Sequence, residues 1–363
     1  MTTPQIQNLL AHISADPALA PEAIFARLSR LLDAHAPANS CALPGTVGDV
    51  IEALAHELGL TCAPVGSTGN LAIEIGDRAA PLDLLVSAHM DRPCFRVRNL
   101  AEATLYPLCA IRVPVAGYIC DAAALRYVAG RVTIAARGQL SFDWRDGDYR
   151  ITFQPASGEL HKGDTVMMQA APQLRDGLVI GAGLDNAIGV LLALLSAQAL
   201  QEYAADAIAG RKILFAFTDQ EEGPPSGLFG QGASRLAHCI EQPRLGFINI
   251  DGHNVDAAAG QVLGVGASHA FVSGDGRGSV VPMNDQALAE SLAARVNQAR
   301  PGTARMNYSY VSRSDDMLLS LWSRPLGLTG VIVADAHTAE ETAALDDIVS
   351  AAHWIPTYVQ QIL

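Results

Sequence analysis

The sequence predicts an α/β protein whose mainly parallel sheet is flanked by helices and carries a small all-β barrel domain as an insert. The first observation is a set of short apolar runs, rich in Leu, Ile, Val and Phe, of the kind found in strands that are buried on both faces. These runs cover residues 82–87, 212–218, 245–250 and 330–334. The second observation is their alternation with helical segments from residue 181 onwards, which is typical of α/β sheets.

A change in composition between residues 96 and 178 predicts the insert. Short runs rich in Val, Ile, Tyr and Phe are separated there by Gly, Asp and Pro, and no long amphipathic helix is present. This pattern indicates an all-β module, a small barrel or sandwich. We therefore predict a discontinuous larger domain, residues 1–95 and 179–363, and a β-barrel domain, residues 96–178. The strands expected in the insert include 111–115, 131–135, 149–153 and 165–169.

The spacing of apolar residues predicts the helices. Residues 4–35 carry Ile24, Leu28, Leu31 and Leu32 at helical spacing, which indicates a core-facing helix. A loop rich in Pro, Asn, Ser and Gly is expected at 37–46. Further helices are predicted at 47–58, 185–203, 232–239, 282–299 and 315–322, and from about 345 to the end. Two more strands are predicted at 71–75 and 305–311.

Composition limits the partners and the location. The formal net charge is −13 and the pI is about 5.1, which argues against nucleic acid and anionic membranes as partners because both require clustered Lys and Arg. The six cysteines contain no CxxC pair, so we expect reduced thiols in a cytoplasmic protein. No signal peptide is apparent, and the most apolar stretch, 187–200, is too short to span a bilayer.

The polar residues that follow the predicted strands are the candidates for chemistry. Ligands of open α/β sheets bind outside the carboxyl ends of the strands, so these side chains are expected to converge on one crevice. Two histidines and five carboxylates at one crevice favour a metal site that holds two ions. The candidate residues are His89, Asp91, Asp185, Glu221, Glu222, Asp251 and His337.

Each of these residues also has an ordinary structural explanation. His89 and Asp91 point to the same side of an extended chain and are compatible with a polar pair in a turn. Glu221 and Glu222 are compatible with a solvated acidic loop, although Gly223-Pro224-Pro225 would hold that loop rigidly. Asp185 is a favoured helix N-cap residue. Asp251 followed by Gly252 is compatible with a turn, and His337 with an ordinary surface or core histidine. It is the combination of five such elements, four of them after strands, that favours the metal site.

The order of these motifs resembles the M42 family of co-catalytic metallo-aminopeptidases, which belongs with the M20, M28 and M18 families of di-zinc exopeptidases. Residues 84–91, LLVSAHMD, are similar to the HMD motif of that family. Gly69-Asn70 stands where the family has Gly-Asn, and the β-rich insert lies where the family carries its small barrel. The likeness runs from about residue 22 to the C-terminus and implies a zinc-exopeptidase-like fold.

The resemblance also implies a role for each site residue. Asp91 would orient His89, and Glu221 would be the general base. Glu341, four residues after His337, matches a family Glu that would support this histidine. The implied metal ligands are His89 and Asp251 for one ion, Glu222 and His337 for the other, and Asp185 as the bridge.

The chain departs from the family pattern at four places, and none of them removes a metal ligand. Asn186 follows the bridging Asp where another Asp is usual. Arg92-Pro93-Cys94 replaces Glu-Ile-Gly after the HMD motif. Residues 37–44 replace the Ser-Gly-x-Glu loop, and Arg313-Ser314-Asp315-Asp316 stands for Gly-Thr-Asp-Ala.

These observations lead us to expect a metal-dependent aminopeptidase that removes N-terminal residues from small peptides. Two divalent metal ions per chain are expected, zinc first and cobalt or manganese as alternatives, because mixed His and carboxylate ligands discriminate poorly among them. The resemblance further implies a homo-oligomer. Two alternatives stay open: an M20-like amidohydrolase or deacylase of small amides, and a non-catalytic, metal-stabilised relative. M20 enzymes carry an α/β lid domain in place of a β insert.

Overall fold

A large sheet and a closed barrel are the two main parts of the structure. A computed structural model describes residues 1–114, 117–145, 147–223, 229–276, 278–311 and 313–363. Eight strands form the large sheet and six form the barrel. This architecture confirms the predicted α/β class with an inserted β barrel.

The strands and helices have the following bounds. In chain order the strands are β1 (Cys62–Pro64), β2 (Leu71–Gly76), β3 (Leu82–His89), β4 (Cys94–Asn99), β5 (Thr104–Pro107), β6 (Tyr118–Val128), β7 (Arg131–Arg145), β8 (Asp148–Gly158), β9 (Thr165–Met168), β10 (Gln173–Arg175), β11 (Leu178–Gly181), β12 (Lys212–Thr218), β13 (Gly246–Asn254), β14 (Ala267–Ala270), β15 (Ala304–Asn307), β16 (Pro325–Val333) and β17 (Glu341–Ala344). The helices are α1 (Thr3–Ala15), α2 (Pro21–Asp33), α3 (Val47–Glu57), α4 (Leu184–Tyr203), α5 (Ala205–Ile208), α6 (Gln231–Ala237), α7 (Met283–Ala299), α8 (Asp316–Leu319) and α9 (Leu345–Ile362).

Four parallel strands occupy the middle of the large sheet. The strand order is β1-β2-β12-β3-β13-β16-β14-β15. Strand β3 pairs in parallel with both β12 and β13, and β13 pairs in parallel with β16. These four strands are the four apolar runs on which the fold prediction rests. Their carboxyl ends therefore lie along one edge of the sheet.

Successive side chains along each strand point to opposite faces of the sheet, and both faces are covered by other parts of the protein. Leu84 and Val86 of β3 lie in the larger core cluster, together with helices α4 and α9. Leu85 of the same strand lies in a smaller cluster with Leu236 of α6. Helix α4 is the described helix long and apolar enough to cross a membrane, but 94% of its most apolar window is buried inside the protein. This burial is the property of a central core helix.

The barrel closes in the order β4-β5-β8-β7-β6-β9. Its interior is filled by alternating side chains such as Phe95, Leu140, Phe142 and Phe153, each at most 1% exposed. Strands β10 and β11 lie outside the barrel and pair with β17 in a separate three-stranded sheet. The boundaries at residues 96 and 178 stay a prediction.

Three local predictions differ from the structure, and the smallest difference is that the strand predicted over 305–311 ends at Asn307 as β15. The helix predicted over 4–35 is interrupted, because Asp16 accepts a hydrogen bond from Ala18 and caps a 3-10 turn over Pro17–Leu19, after which α2 begins at Pro21. Proline supports these starts because it donates no backbone hydrogen bond. Of the strand predicted over 111–115, the described residues 111–114 form no strand. Val113 is nevertheless buried in the barrel core, which explains the apolar pattern.

Arg92, a departure from the family motif, is an anchor for the first helices. Its guanidinium is buried and donates to the carbonyl oxygens of Leu31, Leu32 at 3.0 Å and Ala34 at 3.2 Å. These oxygens lie at the carboxyl end of α2, where a helix presents unpaired carbonyls and favours a positive charge. Arg92 thus joins the segment after β3 to α2.

The variant Arg92→Met is expected to lower the free energy of unfolding by about 2–4 kcal/mol, because three carbonyls lose their charged donor. Arg98→Met, at an exposed position of β4, is the control and is expected to change stability by less than about 0.5 kcal/mol. Urea titrations of the two variants measure the difference. Equal stabilities would show that the contacts of Arg92 do not hold α2.

Candidate metal centre

The carboxyl ends of the central strands bring the predicted site residues together. Strand β3 ends at His89, which lies level with Thr218 at the end of β12. Asp251 lies in β13 opposite Gly330 of β16, and His337 follows β16. Gly330 permits this pairing, because a Cβ there would lie 1.8 Å from the carbonyl oxygen of Asp251. The sheet therefore places residues from four strands at one site.

Asp185 lies between the two histidines. Its Oδ1 is 3.2 Å from Nε2 of His89, and its Oδ2 is 3.7 Å from Nε2 of His337. The His89 nitrogen is also 3.5 Å from Oδ1 of Asp251, and the His337 nitrogen is 3.1 Å from Oε1 of Glu222. These contacts define two groups that share Asp185. Within each group the candidate ligand atoms lie within 4.8 Å of one another, so each could hold a metal ion.

Backbone carbonyls fix the tautomers of both histidines. Nδ1 of His89 lies 3.0 Å from the carbonyl oxygen of Asp91, and Nδ1 of His337 lies 2.7 Å from that of Ala110. A carbonyl oxygen only accepts, so each Nδ1 carries a hydrogen and donates it. In the neutral rings Nε2 then presents a lone pair to the carboxylates. This is the arrangement of metal-binding histidines, whose second nitrogen is held by an outer partner.

The electrostatics of the cluster suit cations. Burial raises the pKa of Glu221 well above its usual range, and the charges of Glu222 and Asp251 add to this effect although His89 opposes it. Burial also raises the pKa of Asp251 to about 6. Burial alone would lower the pKa of His337, but the nearby Glu222 carboxylate has the larger effect and raises this pKa to about 9. The buried carboxylates thus repel one another and attract positive charge.

The surroundings of one Glu222 oxygen indicate whether these residues fit a metal ion. Oε1 of Glu222 is buried and makes no hydrogen bond among the described residues, although Nε2 of His337 lies only 3.1 Å away. With a neutral His337 ring this buried acceptor has no donor, which is costly, and the two atoms face each other as two ligands of one ion would. The donor set of imidazole nitrogen and carboxylate oxygen is also that of zinc sites. The residues therefore fit divalent metal ions.

Asp91 holds the acidic loop as well as the first histidine. Its carboxylate accepts hydrogen bonds from the backbone N–H groups of Glu221 at 2.9 Å and Glu222 at 3.1 Å. The same carboxylate is 3.6 Å from Nδ1 of His89, whose hydrogen bond goes to the Asp91 carbonyl. Asp91 thus fixes His89 through its main chain and the two glutamates through its side chain. Pro224 and Pro225, expected to make this loop rigid, lie outside the described residues.

Glu341 makes the corresponding connection on the other side of the cluster. It is fully buried, and its two carboxylate oxygens accept from the backbone N–H groups of Asp185 at 2.9 Å and His337 at 2.8 Å. Burial and the nearby charge of Asp185 raise its pKa to about 8. Glu341 therefore supports His337 through the backbone and links it to the shared Asp185.

Two departures from the family motifs have structural explanations. The side-chain amide of Asn186 donates to the carbonyl of Ile250 at 2.8 Å and accepts from the N–H of Gly189 at 2.9 Å, and an ionised carboxylate lacks that donor. The peptide bond between Asp185 and Asn186 is cis. Cys94 is fully buried, and burial raises the pKa of its thiol to about 12. Its thiol is thus protonated at neutral pH and not a nucleophile.

Residues from distant segments complete the site. The Thr218 hydroxyl donates to Asp315, which is fully buried, and burial raises the pKa of this carboxyl to about 7. The local sequence around Asp315 contains no signal for this contact with β12, which lies about a hundred residues earlier in the chain and was not predicted. The cavity beside the cluster has a volume of about 50 Å³. Apart from the candidate ligands and Glu221, it is lined by Ala110, Arg112, Gly223, Phe229, Gly252 and Arg313.

The variant Glu341→Gln is expected to weaken metal binding by about 10–100-fold, the usual effect of losing an outer partner of metal ligands. A glutamine offers one acceptor oxygen, so one of the two backbone N–H groups would face an amide NH₂. Competition with a zinc chelator measures the affinity. Glu340→Gln is the matched control, since Glu340 is exposed. Equal affinities of Glu341→Gln and the unaltered protein would contradict this role.

Comparisons with known proteins identify the fold. No protein-family model and no curated protein matches the chain. Among solved structures, a TET aminopeptidase from the marine sediment archaeon Thaumarchaeota archaeon SCGC AB-539-E09 aligns with a TM-score of 0.72 at 13% identity, over 93% of this chain and 96% of that one. The TET1 peptidase of Pyrococcus horikoshii aligns with a TM-score of 0.68 at 18% identity, over 92% and 98%.

A Thermotoga maritima protein named an endoglucanase shares the same architecture. It aligns with a TM-score of 0.61 at 17% identity, over 92% of this chain and 98% of that one. At these identities the likeness establishes the architecture and leaves the reaction to the site residues. The chain thus has the fold of the TET aminopeptidases, which confirms the fold implied by its resemblance to the M42 family.

Proposed function

We propose that this protein is a metal-dependent aminopeptidase that removes N-terminal residues from small peptides. The observation that carries the proposal is the pair of His-carboxylate groups that share Asp185, with Glu221 beside them, in a TET aminopeptidase fold. Two metal ions that share a carboxylate are a recurrent centre for hydrolysis by activated water, and aminopeptidases use it.

The proposed ligands follow the two groups. His89 and Asp251 would hold one divalent ion, Glu222 and His337 the other, and Asp185 would bridge them. We propose zinc as the ion, with cobalt or manganese as alternatives. When bound, two such ions polarise the scissile carbonyl and lower the pKa of the attacking water.

Glu221 is the proposed general base. Its Oε2 lies 3.9 Å from Nε2 of His89, yet Glu221 belongs to neither of the two groups. With two cations beside it to favour its ionised form, Glu221 would take the proton of the attacking water and pass it to the leaving amine. The Asp91 carboxylate accepts hydrogen bonds from the backbone of Glu221 and Glu222, and so fixes the position of the base relative to the neighbouring ligand.

Assembly and location complete the proposal. The TET1 peptidase of Pyrococcus horikoshii assembles into a tetrahedron or a large octahedral shell, and we propose a homo-oligomer for this chain. The six cysteines are free, which supports a cytoplasmic location.

The closed barrel favours an aminopeptidase over an M20-like amidohydrolase, whose second domain is an α/β lid.

The proposal is tested with a panel of unblocked aminoacyl p-nitroanilides. We expect no release of nitroaniline after treatment with a chelator, and release after addition of zinc, cobalt or manganese, because the carboxylate cluster needs its cations to act. Inactivity across the panel and a set of small peptides, with two metals bound per chain, would contradict the aminopeptidase proposal. It would favour an amidohydrolase or a non-catalytic, metal-stabilised protein.

The variant Glu221→Gln is expected to lower kcat by at least about 10²–10⁴-fold while metal content is retained, because the base is lost and the ligands are not. The matched variant Glu222→Gln is expected to lose metal, since it alters a proposed ligand. Turnover and metal content per chain are measured on both proteins. Loss of metal in Glu221→Gln would contradict its assignment as the base.

Size-exclusion chromatography with light scattering tests the proposed homo-oligomer. We expect a mass that is a multiple of the 38.1 kDa chain at micromolar concentration. A mass of a single chain would contradict it.

A further inference from the structure

A second cavity lies between α2 and the barrel, and it shares no lining residue with the cavity of the metal centre. Its volume is about 320 Å³, within the range of small-molecule sites. The segments after α2 and β3 contribute His35 and Arg92, and the barrel side contributes Arg137 of β7 and Gln169, which follows β9. None of these four residues takes part in the proposed function.

Arg92 places a buried positive charge in the wall of this cavity. It is 5% exposed, and its two terminal nitrogens donate to carbonyl oxygens near the end of α2. Its Nε makes no hydrogen bond among the described residues. Gly183 leaves the space beside this nitrogen open, because a Cβ there would lie 2.6 Å from Nε. Arg92 stands where the M42 motif has Glu, so this charge belongs to the present chain and not to the family pattern.

The other three side chains form a row of hydrogen bonds. Nη1 of Arg137 donates to Oε1 of Gln169 at 3.0 Å, and the amide nitrogen of Gln169 lies 3.3 Å from Nδ1 of His35. An amide nitrogen only donates, so Nδ1 accepts, and in the neutral ring Nε2 carries the hydrogen. Within the described part of the chain, this Nε2–H and the remaining N–H groups of Arg137 have no acceptor. The row therefore has a free donor at each end.

The charges around the cavity favour an anion. Among the described residues, no carboxylate oxygen lies within 4.0 Å of the Arg92 or Arg137 guanidinium. The charges of Glu341 and Asp33 act on Arg92 from further away, and Asp33, the one carboxylate in the described lining, is exposed to solvent. Burial lowers the pKa of His35, and the charges of both arginines lower it further, so this ring is neutral at neutral pH. Free donors and a net positive charge attract anions.

We propose that this cavity is a binding site for a small oxyanion, the phosphate or carboxylate group of a small molecule, held by Arg92, Arg137 and His35. Guanidinium groups bind both kinds of oxyanion through charge-assisted hydrogen bonds. Arg137 and His35 would donate to the anion, and Arg92 would contribute its charge and its Nε–H. Because the donors come from the end of α2 and from the barrel, the bound anion would join these two parts of the protein. The inference does not depend on the proposed aminopeptidase activity.

Calorimetric titration of the full chain with inorganic phosphate and with acetate, at constant ionic strength, tests the site. We expect saturable binding of at least one probe, and the stronger probe identifies the kind of oxyanion. Arg137→Gln is expected to weaken it by about 10–100-fold, the usual range for a hydrogen bond to a charged group. His35→Phe is also expected to weaken it, because it removes a donor without changing the charge. Arg131→Gln, at an exposed position of the same strand, is the control and retains binding.

The same titrations after treatment with a chelator separate this site from the metal centre, because phosphate and acetate also bind to metal ions. Binding that persists without metal and is weakened by Arg137→Gln and His35→Phe supports the proposal. Binding that disappears with the metal would place the anion at the metal centre and overturn the proposal. Absence of saturable binding of both probes at millimolar concentrations would overturn it too, as would affinities that neither variant changes.

Discussion

The mutual repulsion of four buried carboxylates is the constraint on which the rest of this structure depends. Asp185, Glu221, Glu222 and Asp251 are each at most 9% exposed. Carboxylates out of water and a few ångströms apart destabilise one another, and burial in a low dielectric strengthens the effect. Such a cluster needs a fold that holds the side chains in place, and protons or cations that reduce its negative charge. The proposed metal ions would supply that positive charge.

The fold holds the cluster through its backbone. Four parallel strands end at one edge of the sheet, so the chain direction alone brings distant residues together. Two further carboxylates then fasten the loops. Asp91 accepts the N–H groups of Glu221 and Glu222, and Glu341 accepts those of Asp185 and His337. A carboxyl group has two acceptor oxygens, so each of these anchors accepts two backbone N–H groups at once.

The sequence was sufficient to predict the central sheet, the barrel and the residues that the structure places in the two groups. Those predictions rested on local patterns: apolar runs for buried strands, and polar residues at their carboxyl ends. The contacts of Asp91 with Glu221 and of Glu341 with Asp185 could not be predicted in the same way, because they join segments that are 130 and 156 residues apart in the chain. The prediction of one continuous helix over 4–35 was wrong. It relied on the spacing of apolar residues and neglected Pro17 and Pro21, at which new helical segments begin.

The strand predicted over 111–115 shows how a correct pattern led to a wrong structure. Its apolar residues pack on the barrel core, as the pattern implies, but the described part of the segment is a loop directed to the metal centre. This loop supplies the Ala110 carbonyl that fixes the tautomer of His337, and it supplies Arg112 to the cavity. The barrel is thus part of the site. Because Nε2 of His337 presents its lone pair only while Nδ1 donates to Ala110, the position of the barrel sets the geometry of one proposed ligand.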